Sequence, residues 1–114
     1  MSRNIGNEKE NLALHFLKRQ GLKLIARNFH SRFGEIDLIM RDKTCLIFVE
    51  VRFRSRDHFG SGAESVSFQK QQRLIKTAQF YLLRYPQNVP CRFDVLAIRP
   101  QNIDWIKNAF GANL

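Results

Sequence analysis

Two carboxylates stand where carboxylates are costly. Asp37 lies between Ile36 and Leu38, and Glu50 between Val49 and Val51. A charge inside an apolar strand needs a partner, because burial without one is strongly unfavourable. The runs that hold them, Glu35–Arg41 and Leu46–Phe53, alternate as strands do, and the polar link Asp42-Lys43-Thr44-Cys45 suits a hairpin. If Arg41 faces Leu46 across that hairpin, the register places Asp37 opposite Glu50. Directly opposed residues have Cβ atoms about 4.5–5.5 Å apart, close enough to share one ion. Bare carboxylates that close repel and push one pKa upward. A divalent cation resolves the conflict. Mg2+ suits it, with Mn2+ as the substitute, because it takes one or two carboxylates and completes its shell with water and phosphate oxygen. Strand period also puts Arg52 on the face of Glu50, so a metal-free Asp–Glu–Arg network accounts for the same residues equally well.

The elements that must position these groups read as one α/β domain over residues 1–114. A first helix, about Asn7 to Gln20, is signalled by Leu12, Ala13, Phe16 and Leu17, with Gly21 as its stop. Leu22–Phe29 reads as a strand and His30–Gly34 as a basic turn. The hairpin follows, with Ile36, Leu38 and Met40 on one face of its first arm and Ile47, Val49, Val51 and Phe53 on one face of its second. Arg54–Ser67 is a polar loop. A second helix, Phe68 to Arg84, is marked by Leu74, Ala78, Tyr81 and Leu82 and closed by Pro86. Cys91–Ile98 is a further strand, and the pattern of the tail, Ile103–Phe110, does not decide between strand and helix. The order αβββαβ implies a mixed central sheet flanked by helices.

Charge narrows the function. Nineteen Lys and Arg against ten Asp and Glu give a net charge of +9, and the pI is near 10.3. Twelve of those cations are arginine, the better bidentate partner for phosphate. That is the electrostatic footprint of a nucleic-acid binder; a solubilising surface, or docking on acidic protein or anionic lipid, is the competing explanation. The loop Arg52-Phe53-Arg54-Ser55-Arg56-Asp57-His58-Phe59 interleaves cations with aromatics, as a segment that clasps a backbone and stacks on an unpaired base does; a mobile solvated loop, which Gly60 and Gly62 also permit, is the competing explanation. Arg32, Arg54, Arg56, Lys70 and Arg73 are the expected nucleic-acid contacts, with DNA the leading partner and RNA the alternative. Cys45 and Cys91 sit in apolar runs as packing residues, and His15, His30 and His58 are scattered without zinc spacing. No stretch reads as a secretory signal or membrane span, so a cytoplasmic protein with no membrane partner is expected.

The pattern Gly34-Glu35-Ile36-Asp37-Leu38-Ile39, then Phe48-Val49-Glu50-Val51-Arg52, resembles the YraN family of predicted endonucleases. That family is distantly similar to archaeal Holliday-junction resolvases and falls in the PD-(D/E)xK nuclease superfamily. The resemblance extends over Glu10 with Leu12-Ala13 and Phe16-Leu17, Asn28, Gly60, the helix from Val66 through Lys70 to Leu82, and Arg92-Phe93-Asp94-Val95. It implies a restriction-endonuclease-like fold with Asp37 and Glu50 as metal ligands, Glu10 as an accessory acid and Lys70 as a basic position that touches phosphate. Glu10 borders the inward face of its helix, where a plain surface glutamate is the competing explanation; for Lys70 it is a solvated lysine. Arg52 stands where the superfamily motif has lysine. An arginine can stabilise phosphate charge but stays protonated and cannot act as a base.

Together these features favour a metal-dependent endonuclease for structured or branched DNA, catalysed by Glu10, Asp37, Glu50 and Arg52. Two other classes compete: a non-catalytic nucleic-acid-binding module that keeps the fold, and an accessory protein docked on a ribonucleoprotein or DNA-repair partner. A homodimer would suit an enzyme handling two strands.

Overall fold

The computed structural model describes residues 5–54, 66–84 and 88–111. Helix α1 (Ile5–Arg19) leads into three antiparallel strands, β1 (Lys23–Ser31), β2 (Gly34–Asp42) and β3 (Cys45–Phe53). Helix α2 (Phe68–Leu82) then precedes β4 (Cys91–Ile98), which runs parallel to β3, and β5 (Ile103–Phe110) returns antiparallel to β4. The strands form one five-stranded mixed sheet in the order β1-β2-β3-β4-β5. The order is therefore αβββαββ: the undecided tail is a fifth strand.

Local chemistry sets the ends of the helices. Gly21, at φ 98°, takes the left-handed conformation that closes α1. The amide of Leu22 donates to Leu17 O at 3.1 Å and that of Gly21 to Lys18 O at 3.0 Å, a paired C-terminal cap. At the other helix, the Ser67 hydroxyl accepts the Lys70 amide at 3.1 Å and starts α2.

The core has two halves, one on each face of the sheet. Ala13, Leu14 and Leu17 of α1 pack on Leu38, Met40, Ile47, Val49, Leu96 and Ile98. Leu74, Ala78 and Tyr81 of α2 pack on Ile36, Ile39, Leu46, Phe48, Phe93 and Val95. Central β3 is buried on both faces from Leu46 through Glu50, which is why its apolar run is nearly continuous. Truncating a fully buried member such as Leu17 to alanine costs about 2–5 kcal/mol. No helix among the described residues is long and apolar enough to cross a membrane.

One expected face is corrected. Ile36 does not share a side with Leu38 and Met40; it joins the α2 half, while they join the α1 half. Alternation breaks at Asp37, across β1 from the left-handed Asn28 at φ 51°.

Candidate active site

The site begins where β2 and β3 part. Their ladder runs from Asp42↔Cys45 through Arg41↔Leu46, the pair expected from the hairpin, and ends at Leu38↔Val49. One step further, the Asp37 carboxylate takes the place of a backbone acceptor. Its Oδ2 accepts the Val51 amide at 2.8 Å, which pins the acid in the mouth between the strands. The site thus lies toward the C-terminal end of β3, where it runs parallel to β4, the end at which α/β sheets bind ligands.

Glu50 points to the α2 side, its side chain only 10% exposed, and Lys70 Nζ lies 2.9 Å from its Oε2. Arg52 Nε stands at 4.0 Å from the same oxygen. The close cation is therefore the helix lysine, and the strand arginine is the outer one. Lys70 occupies the first turn of α2, where the helix dipole disfavours a positive charge by about 0.3–1 kcal/mol. Ser67 and Glu50 hold it there against that cost.

Asp37 registers the crowding. Burial, then the neighbouring charge of Glu50, pushes its pKa up to about 7, with Glu10 adding to the rise; the Val51 amide and Lys70 pull the other way. Asp37 therefore holds its proton in mild acid and gives it up as the pH rises through about 7. Glu10, from α1, is tied to β1: Arg27 Nη2 lies 3.6 Å from its Oε1 and donates to Asn11 Oδ1 at 2.9 Å. That Glu10 oxygen is buried without a hydrogen bond among the described residues. Among the described residues no three His, Cys, Asp or Glu side chains stand at metal-binding spacing. The ligand set on offer is the Asp37–Glu50 pair, with Glu10 outside it.

The other expected residues spread along the α2 side. Arg73, exposed, is one turn beyond Lys70, and the β1–β2 turn packs against it. Arg32 is exposed in that turn, stacked over Phe33 at 5.1 Å. Arg54 is half-buried just past β3, its amide bonded to Ile98 O at 2.8 Å. Arg56, with the rest of the interleaved loop from Ser55 onward, and Pro86 lie outside the described residues.

Sequence reasoning passed over two groups. Arg27 was read only as part of a strand, yet it is the tether of Glu10. Asp94, fully buried, accepts from Arg92 Nε, Trp105 Nε1 and the Asn108 amide, each at 2.9 Å. It joins β4 to β5 and is a structural hub. The spacing of Arg92 and Asp94, two residues apart on one strand face, was the available signal.

The chain matches "Uncharacterised protein family UPF0102", the YraN family, over residues 9–98. It is 49% identical to a UPF0102 protein of Nitrosomonas europaea over 94% of this chain and 93% of the relative. A Legionella pneumophila UPF0102 protein is 46% identical over 98% of both chains. One from Klebsiella pneumoniae is 49% identical over 97% of this chain and 89% of its own.

Proposed function

The chain belongs to the UPF0102 family, and from that premise we propose that it is a metal-dependent phosphodiesterase cutting nucleic acid, DNA foremost. One observation carries the reading: Lys70 Nζ stands 2.9 Å from Glu50 beside an Asp37 held near pKa 7. A lysine against paired acids at the open end of a sheet is the donor set of phosphoryl chemistry. The mixed sheet with a helix on each face supports a restriction-endonuclease-like fold.

The residues fit a magnesium or manganese ion. Asp37 and Glu50 supply the one or two carboxylates such an ion takes, and their mutual repulsion is what a cation relieves. When bound, the ion lowers the pKa of a water and offsets charge on the scissile phosphate. The chain's own groups do the rest. Val51 N–H fixes the Asp37 carboxylate, and Glu50 aims Lys70. The compact Lys70 ammonium donates to the phosphate oxygen and fills the role of the motif lysine that Arg52 replaces. Arg52 steadies the phosphate from its outer position, and the buried Glu10 oxygen accepts from a water. Arg73, Arg32 and Arg54 contribute phosphate contacts.

A second reading has its own support. Lys70 already neutralises Glu50, and no third acid completes a metal cluster among the described residues, as a non-catalytic nucleic-acid-binding module would have it. The test is cleavage of branched, duplex and single-stranded DNA and RNA with Mg2+ or Mn2+, with Glu50→Ala beside the unaltered protein. Cleavage lost in the variant is the expected result. Tight binding without cleavage on any substrate gives the second reading the lead.

A further inference from the structure

Beyond the acids, α2 leads to an aromatic basin. Arg32, Phe33, Lys76, Gln79, Phe80 and Leu83 line an open hollow of about 500 Å³ between the β1–β2 turn and the later turns of the helix. Its walls are apolar and exposed: Phe80 is 39% and Leu83 81% accessible. Phe33 meets Phe80 at 6.4 Å and 65°, so two ring faces open at an angle to one another. Phe29 backs Phe80 at 6.2 Å, and the Arg84 guanidinium lies over both rings at 5.1 and 6.0 Å.

The turn is held firmly enough to be a wall. Gly34, at φ 151°, supplies a conformation that side-chain-bearing residues rarely adopt, and it sits directly over Arg73 and Thr77. The Ser31 hydroxyl meets Thr77 Oγ1 at 3.3 Å and caps the Phe33 amide at 3.0 Å.

Charge selects the occupant. The six lining residues bear two positive charges and no negative one. Lys70, Arg73 and Lys76 follow at three-residue steps, each about 4.5 Å further along the axis at 1.5 Å per residue. They form a cationic track from the acids to the basin. Phe80 lies about 15 Å further along the helix axis than Lys70, about four nucleotides at the duplex rise of about 3.4 Å per strand and fewer for an extended unpaired strand. A duplex hides its base faces; only an unpaired base offers one to an aromatic wall, and stacking there tolerates any base. Gln79 lines the same hollow, and its side-chain amide has the donors and acceptor that a base edge pairs with.

We propose that this basin receives an unpaired nucleobase of the strand whose backbone follows Lys70, Arg73 and Lys76. It makes the substrate a nucleic acid with unpaired nucleotides a few positions from the scissile phosphate: a single strand, a flap or a junction. This inference rests on the function proposed above and names its substrate class.

The test is binding in EDTA, at fixed salt, of a 2-aminopurine-labelled single strand, a flap and a blunt duplex of equal length. The full chain is compared with Phe33→Ala/Phe80→Ala. The unaltered protein is expected to bind the unpaired substrates about 10-fold or more tighter than duplex and to quench the 2-aminopurine. The double variant is expected to lose roughly 10- to 100-fold of that binding, in line with one stacked base, and to hold duplex within about 2-fold. Should its circular dichroism show that it does not fold, Gln79→Ala/Leu83→Ala replaces it, since both side chains are exposed and line the hollow without carrying charge. Equal loss on all substrates, or no preference in the unaltered protein, overturns the basin. Concentration-dependent dimerisation abolished by either variant also overturns it, by making the hollow a contact between copies. Absence of all nucleic-acid binding would instead remove the proposed function itself.

Discussion

Replacing Asp37 by asparagine should stabilise the metal-free protein above neutral pH and leave it unchanged in acid. Folding raises the Asp37 pKa from 3.8 to about 7, mainly through burial and the charge of Glu50. Between those values the native state holds a proton that the unfolded chain has released, so stability falls as pH rises through the window. About three units at 1.36 kcal/mol each give a ceiling of about 4 kcal/mol, reached above pH 7. Asparagine stays neutral and keeps an oxygen for the Val51 amide. For a chain of 114 residues, 1 kcal/mol moves Tm by about 4 °C. The assay is thermal unfolding in EDTA from pH 4 to 9. The variant should gain several degrees at pH 8–9, and the two curves should converge near pH 4. Mg2+ should then reverse the order, since ion at about 100 times its Kd adds about 2.7 kcal/mol to a protein that binds it. A constant offset across pH, or equal stabilisation of both proteins by Mg2+, would refute the electrostatic account.

Further outcomes follow from the same contacts. Ser67→Ala removes the cap that fixes the Lys70 amide and should cost about 1 kcal/mol of stability in urea unfolding, with cleavage falling alongside. Asp94→Ala leaves Arg92, Trp105 and Asn108 without their shared acceptor; a loss of about 3–5 kcal/mol is expected, read by Trp105 fluorescence during unfolding. Binding to duplex DNA should weaken linearly on a log–log salt plot, with about 0.9 of slope for each phosphate neutralised, and Arg73→Ala should reduce that slope by about one contact.

Parity made much of this site legible. Strand period and a two-residue hairpin leave few registers, so Arg41↔Leu46 could be read from residue order; the ladder stops at Leu38↔Val49, one step short of the expected Asp37–Glu50 pair, and the Asp37 carboxylate bonds the Val51 amide instead. Gly21 marked the end of α1 because only a left-handed residue closes that cap cheaply. What escaped reading depends on departures from regularity. Ile36 joins the α2 half although Leu38 and Met40 do not, and Asn108 takes positive φ inside β5, where the pairing with β4 shifts register between Phe93 and Val95. The closest partner of Glu50 was hidden for another reason. Arg52 shares its strand face, but Lys70 arrives on a docked helix, and docking is set by Leu74, Ala78 and Tyr81 packing on the sheet.

The central claim is that Lys70, held against Glu50, completes a phosphodiesterase site around Asp37. Single-turnover cleavage of the best substrate in Mg2+ by the unaltered protein, Lys70→Met and Arg52→Ala tests it most directly. Losing one preorganised transition-state donor costs about 2.7–4 kcal/mol, so Lys70→Met should cleave roughly 100- to 1,000-fold more slowly. Arg52→Ala, at 4.0 Å from the acid against 2.9 Å for the lysine, should lose less. Equal rates for Lys70→Met and the unaltered protein, or a larger loss in Arg52→Ala, would contradict the account.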